Sequence, residues 1–452
     1  MASPPLVVLD DDPTGTQAMA GVPVLLRWDG PALAEVARTG TPVIHLVTNS
    51  RALAPSAARR LVGDAARTAA QALPGAEIVL RGDSTLRGHL LEEYLALQEI
   101  RFPGRTPVLL LVPALPAAGR ITVDGVHLLV RDGRRTPLHD TEYARDPAFG
   151  YTDARLLTWA HERSGGYFPA GAGREVHLCT LRQEGAQAVT NALHILAAAG
   201  SPSVCVADAE GADDLLVVAA GLEAARAAGV EVIVRCAPTF AGVLSGTLAL
   251  APVVMSPAGG PVLVVCGSFG ATATRQLSAL AAAHPSSLVE ADIASLASTR
   301  PEEEVRRLAH LVSARLEADG LAVLATPRRR PRDADGLDVQ ARIATNLAAV
   351  VAGLRTAPAM LVVKGGVTSA VTASTGLGAA SAWVVGPVAD GVGLWEVRNR
   401  DGEEVPYLVV PGNVGDDDLL ARLVAMARDP HGDPPAASGG RSARTAGEPD
   451  PL

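Results

Sequence analysis

The chain has 452 residues, 48% of them hydrophobic and 19% charged, which excludes a disordered polymer and leaves room for two or three cores. Lys and Arg total 39 against 48 for Asp and Glu, a net charge of −9 that repels a phosphate backbone and argues against nucleic acid as the main partner. No run approaches the roughly 18 apolar residues of a membrane span, and MASPPLVVLDDD lacks the form of a signal peptide. A cytoplasmic protein without a membrane partner is expected.

In chain order, PLVVL, VPVLLRW, PVIHLVT, EIVLRG and PVLLLVPAL read as strands, while PSAARRLVGDAARTAAQAL and LRGHLLEEYLALQEI carry apolar residues at helical spacing. The alternation continues through EVHLCTL, SVCVAD and EVIVRC, separated by QAVTNALHILAAAG and DLLVVAAGLEAARAAG. Such alternation predicts βαβ units and mainly parallel sheets. SPAGGP at 256–261 then interrupts the pattern with turn formers. A second series runs through PVLVVCGSFG, LAVLAT, AMLVVKGG, SAWVVG and PYLVV, with RPEEEVRRLAHLVSARLEADG and VQARIATNLAAVVAGL as helices between them. The expected fold is α/β in two domains, 1–255 and 256–428, each with its own mainly parallel sheet flanked by helices and with the active site in the cleft between them. Residues 429–452, rich in Pro, Gly, Ser and charge, are expected to form a disordered tail.

Cys179, Cys205, Cys236 and Cys266 each lie in an apolar run, with no pair close enough in sequence for a zinc site, so buried reduced thiols are expected. Lys364 is the one lysine of the chain; every other Lys/Arg position is arginine.

Ligands of open α/β sheets bind beyond the carboxyl ends of the strands, so the polar residues that follow each apolar run are the candidates. Asp10, Asp11 and Asp12 follow the first strand; three adjacent carboxylates repel one another unless a magnesium ion, an arginine or a substrate hydroxyl sits among them. TNSR follows at 48–51 and RGDSTLRGH at 81–89, where Arg81 and Arg87 can hold a carboxylate by paired hydrogen bonds and Asp83 can accept a hydroxyl proton. PALPAAGRITVDGVHLL and TPLHDTEYARDP bring His127, His139 and Asp140 into a polar stretch. In the second series three glycine loops each follow a strand: Gly267, Ser268 and Gly270; Lys364, Gly365, Gly366, Thr368 and Ser369; Gly412, Asn413 and Gly415. Glycines admit phosphate oxygens close to backbone amides, and three such loops can converge on one sheet edge. None matches GxxxxGK[ST] or GxGxxG.

With DDPTGTQ at 11–17, TNSR, RGDSTLRGH, PAAGRITVDGVHLL, HDTEYARDP, VVCGSFGATATRQL, VVKGGVTSAVT, VVGPVADGVGLWEV and VVPGNVGDDDLL in this order, the chain resembles the four-carbon acid sugar kinases from about residue 5 to 428. The KGGVTS form, with Val367 where many members carry an acidic residue, looks like a distinct branch. The resemblance implies an ATP-dependent kinase that phosphorylates the terminal hydroxyl of a tetronate or oxo-tetronate, with the sugar acid in the first domain and ATP in the second. Within that reading, the strand-end residues Asp11, Arg51, Arg81, Ser84, Thr85 and Arg87 would hold the substrate, and Asp12 or Asp83 would orient and deprotonate its hydroxyl. The family's nucleotide positions fall on Ser268, Gly365, Gly366, Val367, Thr368 and Gly412, and Lys364 and Asn413 in the same loops would join them in holding ATP, with Mg2+ bridging phosphate oxygens and carboxylates. The resemblance and the apolar composition are compatible with a homodimer. A non-catalytic nucleotide or sugar-acid sensor on the same fold, and another sugar-acid enzyme such as an aldolase or dehydratase, are the alternatives.

Overall fold

A computed structural model describes residues 5–249, 251–328 and 336–428. The tail expected at 429–452 lies outside the described residues. Apolar, β-rich runs become strands, and the amphipathic segments between them become helices such as Pro55–Ala72, Ala186–Ala199, Glu302–Asp319 and Leu337–Ala352.

The first half contributes eight parallel strands in the order Val22–Leu25, Val43–Val47, Leu6–Asp10, Ile78–Arg81, Val232–Cys236, Val108–Val112, Val204–Ala207 and Arg174–Val176. The second half contributes the parallel set Leu288–Glu290, Leu321–Ala325, Val262–Cys266, Met360–Lys364 and Glu404–Val410, followed by antiparallel Val392–Arg398 and Ser381–Ala389. Most of these strands are buried along their whole length, as parallel strands covered by helices on both faces must be.

Two separate sheets were the expectation; one continuous 15-stranded sheet is what forms. The seam is an antiparallel pair that sets Leu25 opposite Ser381 and Val22 opposite Val384, extended by Gly21 N–H donating to Val384 O at 2.8 Å. An edge strand carries a row of unpaired N–H and C=O groups, and here each half satisfies the other's edge. Which edges meet is a property of the assembled halves and leaves no mark on either run of sequence.

Two local expectations also change. EVHLCTL is a strand only over Arg174–Val176; the helix Leu178–Glu184 takes the rest, which leaves Cys179 exposed while Cys205, Cys236 and Cys266 are buried, all four as free thiols. The stretch around His127 forms a small antiparallel sheet, Arg120–Val123, Val126–Arg131 and Arg134–Pro137. No helix among the described residues is long and apolar enough to cross a membrane.

Candidate active site

Asp10, Asp11 and Asp12 emerge at the end of the Leu6–Asp10 strand and are all buried. Their repulsion is answered by arginine. Arg81 ends the adjacent strand and is itself 1% exposed; its Nε lies 2.9 Å from Asp10 Oδ1, Nη1 3.0 Å from Asp11 Oδ1, and Nη2 2.8 Å from Asp12 Oδ1. His45 Nδ1 sits 2.7 Å from the other oxygen of Asp10.

Arg51, from the TNSR loop, reaches Asp11 at 3.1 Å, pairs with Asp12, and reaches Asp83 at 3.2 Å, so one guanidinium spans both candidate proton acceptors. Asp83 also accepts from Arg87 Nε at 2.6 Å and from the Thr85 hydroxyl, and Arg87 lies 3.7 Å from Asp146. The loops that carry these groups are tightly bent. Asn49 and Leu86 adopt left-handed φ values of 52° and 66°, and for a bulky residue such as Leu86 that conformation is strained.

Electrostatics sort the carboxyls. Burial pushes Asp11 up to about 7, against the pull of Arg51 and Arg81, and its Oδ2 accepts no hydrogen bond. Burial also opposes charge on Asp12, but Arg51 and Arg81 prevail and hold it below its ordinary value. For Asp83, Arg87 and Arg51 overcome burial and hold the carboxyl well below the usual range.

The second half supplies three neighbouring parallel strands whose carboxyl ends carry the glycine loops. Gly267 and Ser268 follow Val262–Cys266 and lead into the helix Ala271–Ala283, whose first turn has no side-chain cap. Gly365 follows Met360–Lys364 with φ 112°, a conformation that suits glycine, and Gly366 opens the helix Gly366–Val371. Pro411, Gly412 and Asn413 follow Glu404–Val410. The loops touch one another: a Cβ on Gly412 would sit 2.8 Å from Ser268 Oγ, and one on Gly267 would run into Thr368. They also touch the first half, because a Cβ on Gly366 would lie 2.6 Å from Asp12 Cγ and closer still to Oδ2.

Between the halves lies a cavity of about 460 Å³. Of the expected residues, Asp12, Arg51, Asp83, Arg87, Ser268, Gly365, Gly366, Val367, Thr368, Gly412 and Asn413 line it. Asp11, Arg81, Ser84, Thr85 and Lys364 do not line it. Arg81 is spent on the aspartates beneath the wall. The Ser84 carbonyl and His127 Nε2 share a 2.9 Å hydrogen bond, and the Thr85 hydroxyl faces Asp83. Lys364 is buried, and its Nζ donates to Pro411 O at 2.9 Å, so it braces the Gly412 loop from below and does not face the cavity. Burial brings its ammonium down to about 8.

Sequence reasoning did not single out Thr14, the lining residues Tyr143, Arg145 and Asp146, or the face of Leu337–Ala352 that closes one side. For the first two groups the density of polar residues in DDPTGTQ and HDTEYARDP was the available signal. The helix carries little, since apart from Gln340 its cavity-lining residues are apolar. Arg120 ties the two halves beside this wall, its Nη2 donating to Asn413 O at 3.2 Å.

Residues 6–244 match the model of a sugar-binding N-terminal domain and residues 263–420 that of a nucleotide-binding C-terminal domain. The chain is 34% identical over 270 residues to a D-erythronate kinase of Heliobacterium modesticaldum, a match that covers 59% of this chain and 56% of that protein. It is 28% identical over 446 residues to a D-threonate kinase of Bordetella bronchiseptica, covering 95% of this chain and 99% of the relative. A solved structure from Salmonella typhimurium, provisionally named as a tRNA synthase, has the same fold with a TM-score of 0.65 at 19% identity, over 92% of this chain and 98% of that one. With both domain models matched in order across the two halves of one cavity, the chain belongs to the four-carbon acid sugar kinase family.

Proposed function

We propose that this protein is an ATP-dependent kinase that phosphorylates the terminal hydroxyl of a four-carbon sugar acid, a tetronate or oxo-tetronate. The observation that carries this reading is the shared cavity: three glycine strand-ends of one half face Asp12, Arg51, Asp83 and Arg87 of the other. Relatives named as D-erythronate and D-threonate kinases support the substrate class.

Phosphoryl transfer asks for position and charge neutralisation rather than covalent chemistry. Glycine at 267, 366 and 412 lets the three loops close on one another and on Asp12, since a Cβ there would strike Thr368, Asp12 or Ser268, and the backbone amides that these loops bring to the cavity wall suit a triphosphate. Arg51 and Arg87 offer the planar donors that a carboxylate accepts in pairs. When Arg51 turns to that carboxylate, Asp12 and Asp83 lose part of the charge that depresses them and become better acceptors for the substrate hydroxyl proton. Asp12 and Asp83 fit a dedicated magnesium site poorly, because both oxygens of Asp12 and Oδ2 of Asp83 already face guanidinium groups. In this reading Mg2+ arrives with the nucleotide, where it offsets phosphate charge. Lys364, turned away from the cavity, lends nothing to a Schiff-base aldolase reading.

The test is ADP release with D-erythronate, D-threonate, their L-forms and 3-oxo-tetronates, each with and without ATP·Mg. ADP formed in step with a tetronate phosphate supports the reading. ATP left intact with every acid refutes it, and nucleotide binding without turnover would favour the sensor.

A further inference from the structure

Anionic ligands need uncommitted positive charge, and most of the charge in this cavity is already committed. Its acidic lining side chains are Asp12, Asp83, Glu142 and Asp146. Against them stand three arginines. Arg51 is divided among Asp11, Asp12 and Asp83, and Arg87 between Asp83 and Asp146. Arg145 alone makes no hydrogen bond or ion pair among the described residues, and it is exposed.

Its surroundings are not loose. Arg145 ends the short turn Glu142–Arg145, in which Tyr143 and Ala144 are buried. The Tyr143 ring lies under two guanidinium groups, those of Arg87 and Arg120, each 5.9 Å from its centroid. On the other side Asp146 Oδ1 accepts the backbone N–H groups of Ala148 and Phe149 at 2.9 and 3.1 Å. A backbone fixed on both flanks thus presents a free guanidinium to the cavity, with little backbone ordering left to make when an anion binds.

We infer that Arg145 is a further ligand-binding cation of this cavity, beside Arg51 and Arg87, taking an anionic oxygen group of the reactants: the terminal phosphate of the nucleotide or the carboxylate of the sugar acid. This inference rests on the kinase reading above, and the two sources separate in the assay. Arg145→Gln should lower kcat/KM by about 10- to 100-fold, the range of a charge-assisted hydrogen bond, while the protein melts as wild type because the side chain is exposed. Arg145→Lys should recover part of the loss, since the charge remains and the fork does not. A raised KM for ATP assigns the phosphate; a raised KM for the tetronate alone assigns the carboxylate. Wild-type values for both in Arg145→Gln overturn the inference and leave the kinase reading standing. If wild type phosphorylates none of the acids, the kinase reading fails, and calorimetry with tripolyphosphate decides on Arg145. Weaker binding in Arg145→Gln than in wild type then sustains it, and equal or absent binding in both overturns it.

Discussion

Gly366→Ala tests the contact on which the two-sided cavity depends. The new Cβ would stand 2.6 Å from Asp12 Cγ, where ordinary contact begins at 3.4 Å, a shortfall of 0.8 Å. Asp12 has little freedom to retreat, since Arg51 and Arg81 hold its carboxylate and Thr14 N–H donates to Oδ1 at 2.9 Å. The glycine loop must therefore move away from the acidic loop by close to 1 Å. A misplacement of about 1 Å near reacting groups costs on the order of 100-fold in rate. Gly366 is the first residue of a helix and has no positive φ, so alanine gains up to about 1 kcal/mol of helix propensity, against about 1–3 kcal/mol lost to the overpacked contact. The expected outcome is a fall of about 100-fold in kcat/KM for the tetronate with a melting temperature lowered by no more than a few degrees, so that the enzyme is still folded at the assay temperature. Gly211→Ala, where a Cβ meets nothing within 4 Å, serves as control. An active Gly366→Ala enzyme would refute the argument that Asp12 and the glycine loop act as a fitted pair.

Asp83→Asn should reduce kcat by about 100-fold or more while KM for ATP stays within about threefold, since Asp83 lies in the sugar half and proton acceptance contributes at that level; steady-state kinetics with unaltered turnover would remove it from the mechanism. Arg235→Met strands the buried Glu93 carboxylate, whose other oxygen accepts only from Ser50 Oγ at 2.7 Å, and should lower Tm by about 10 °C, with most of the loss recovered when Glu93→Leu is added. A single variant that melts like wild type would mean that the pair carries no net weight. Lys364 titrates at about 8 in the folded chain against 10.5 ordinarily because of burial, so the unfolded chain holds the extra proton between those values and stability rises with pH across that window. Lys364→Met should lack this rise. The wild-type-minus-variant difference in unfolding free energy should therefore move in favour of wild type from about pH 7.5 to 10, and a flat difference would refute the buried-ammonium account.

Strand and helix identity was readable wherever one period dominated, as in PSAARRLVGDAARTAAQAL, which is helical over Pro55–Ala72. The acidic loop was readable as a place needing counter-charge. Which arginine answers it was not, because Arg51, Arg81 and Arg87 look equally apt until strand order puts Arg81 beside Asp10 and turns its donors inward. The direction of Lys364 depends on Pro411, 47 residues later, just past the end of the neighbouring strand Glu404–Val410. Arg145 escaped notice for a related reason: its distinction is the lack of a partner, and partners are a property of the folded chain.

The seam between Val22–Leu25 and Ser381–Val384 makes the two halves poor candidates for separate expression. Cut apart, each would expose a raw strand edge, one of them bearing Trp383, which is 44% exposed even in the intact chain. Such fragments are templates for each other and for copies of themselves. Mixed, they would knit back through the native ladder; alone, each would recruit whatever edge it met first and come out of solution.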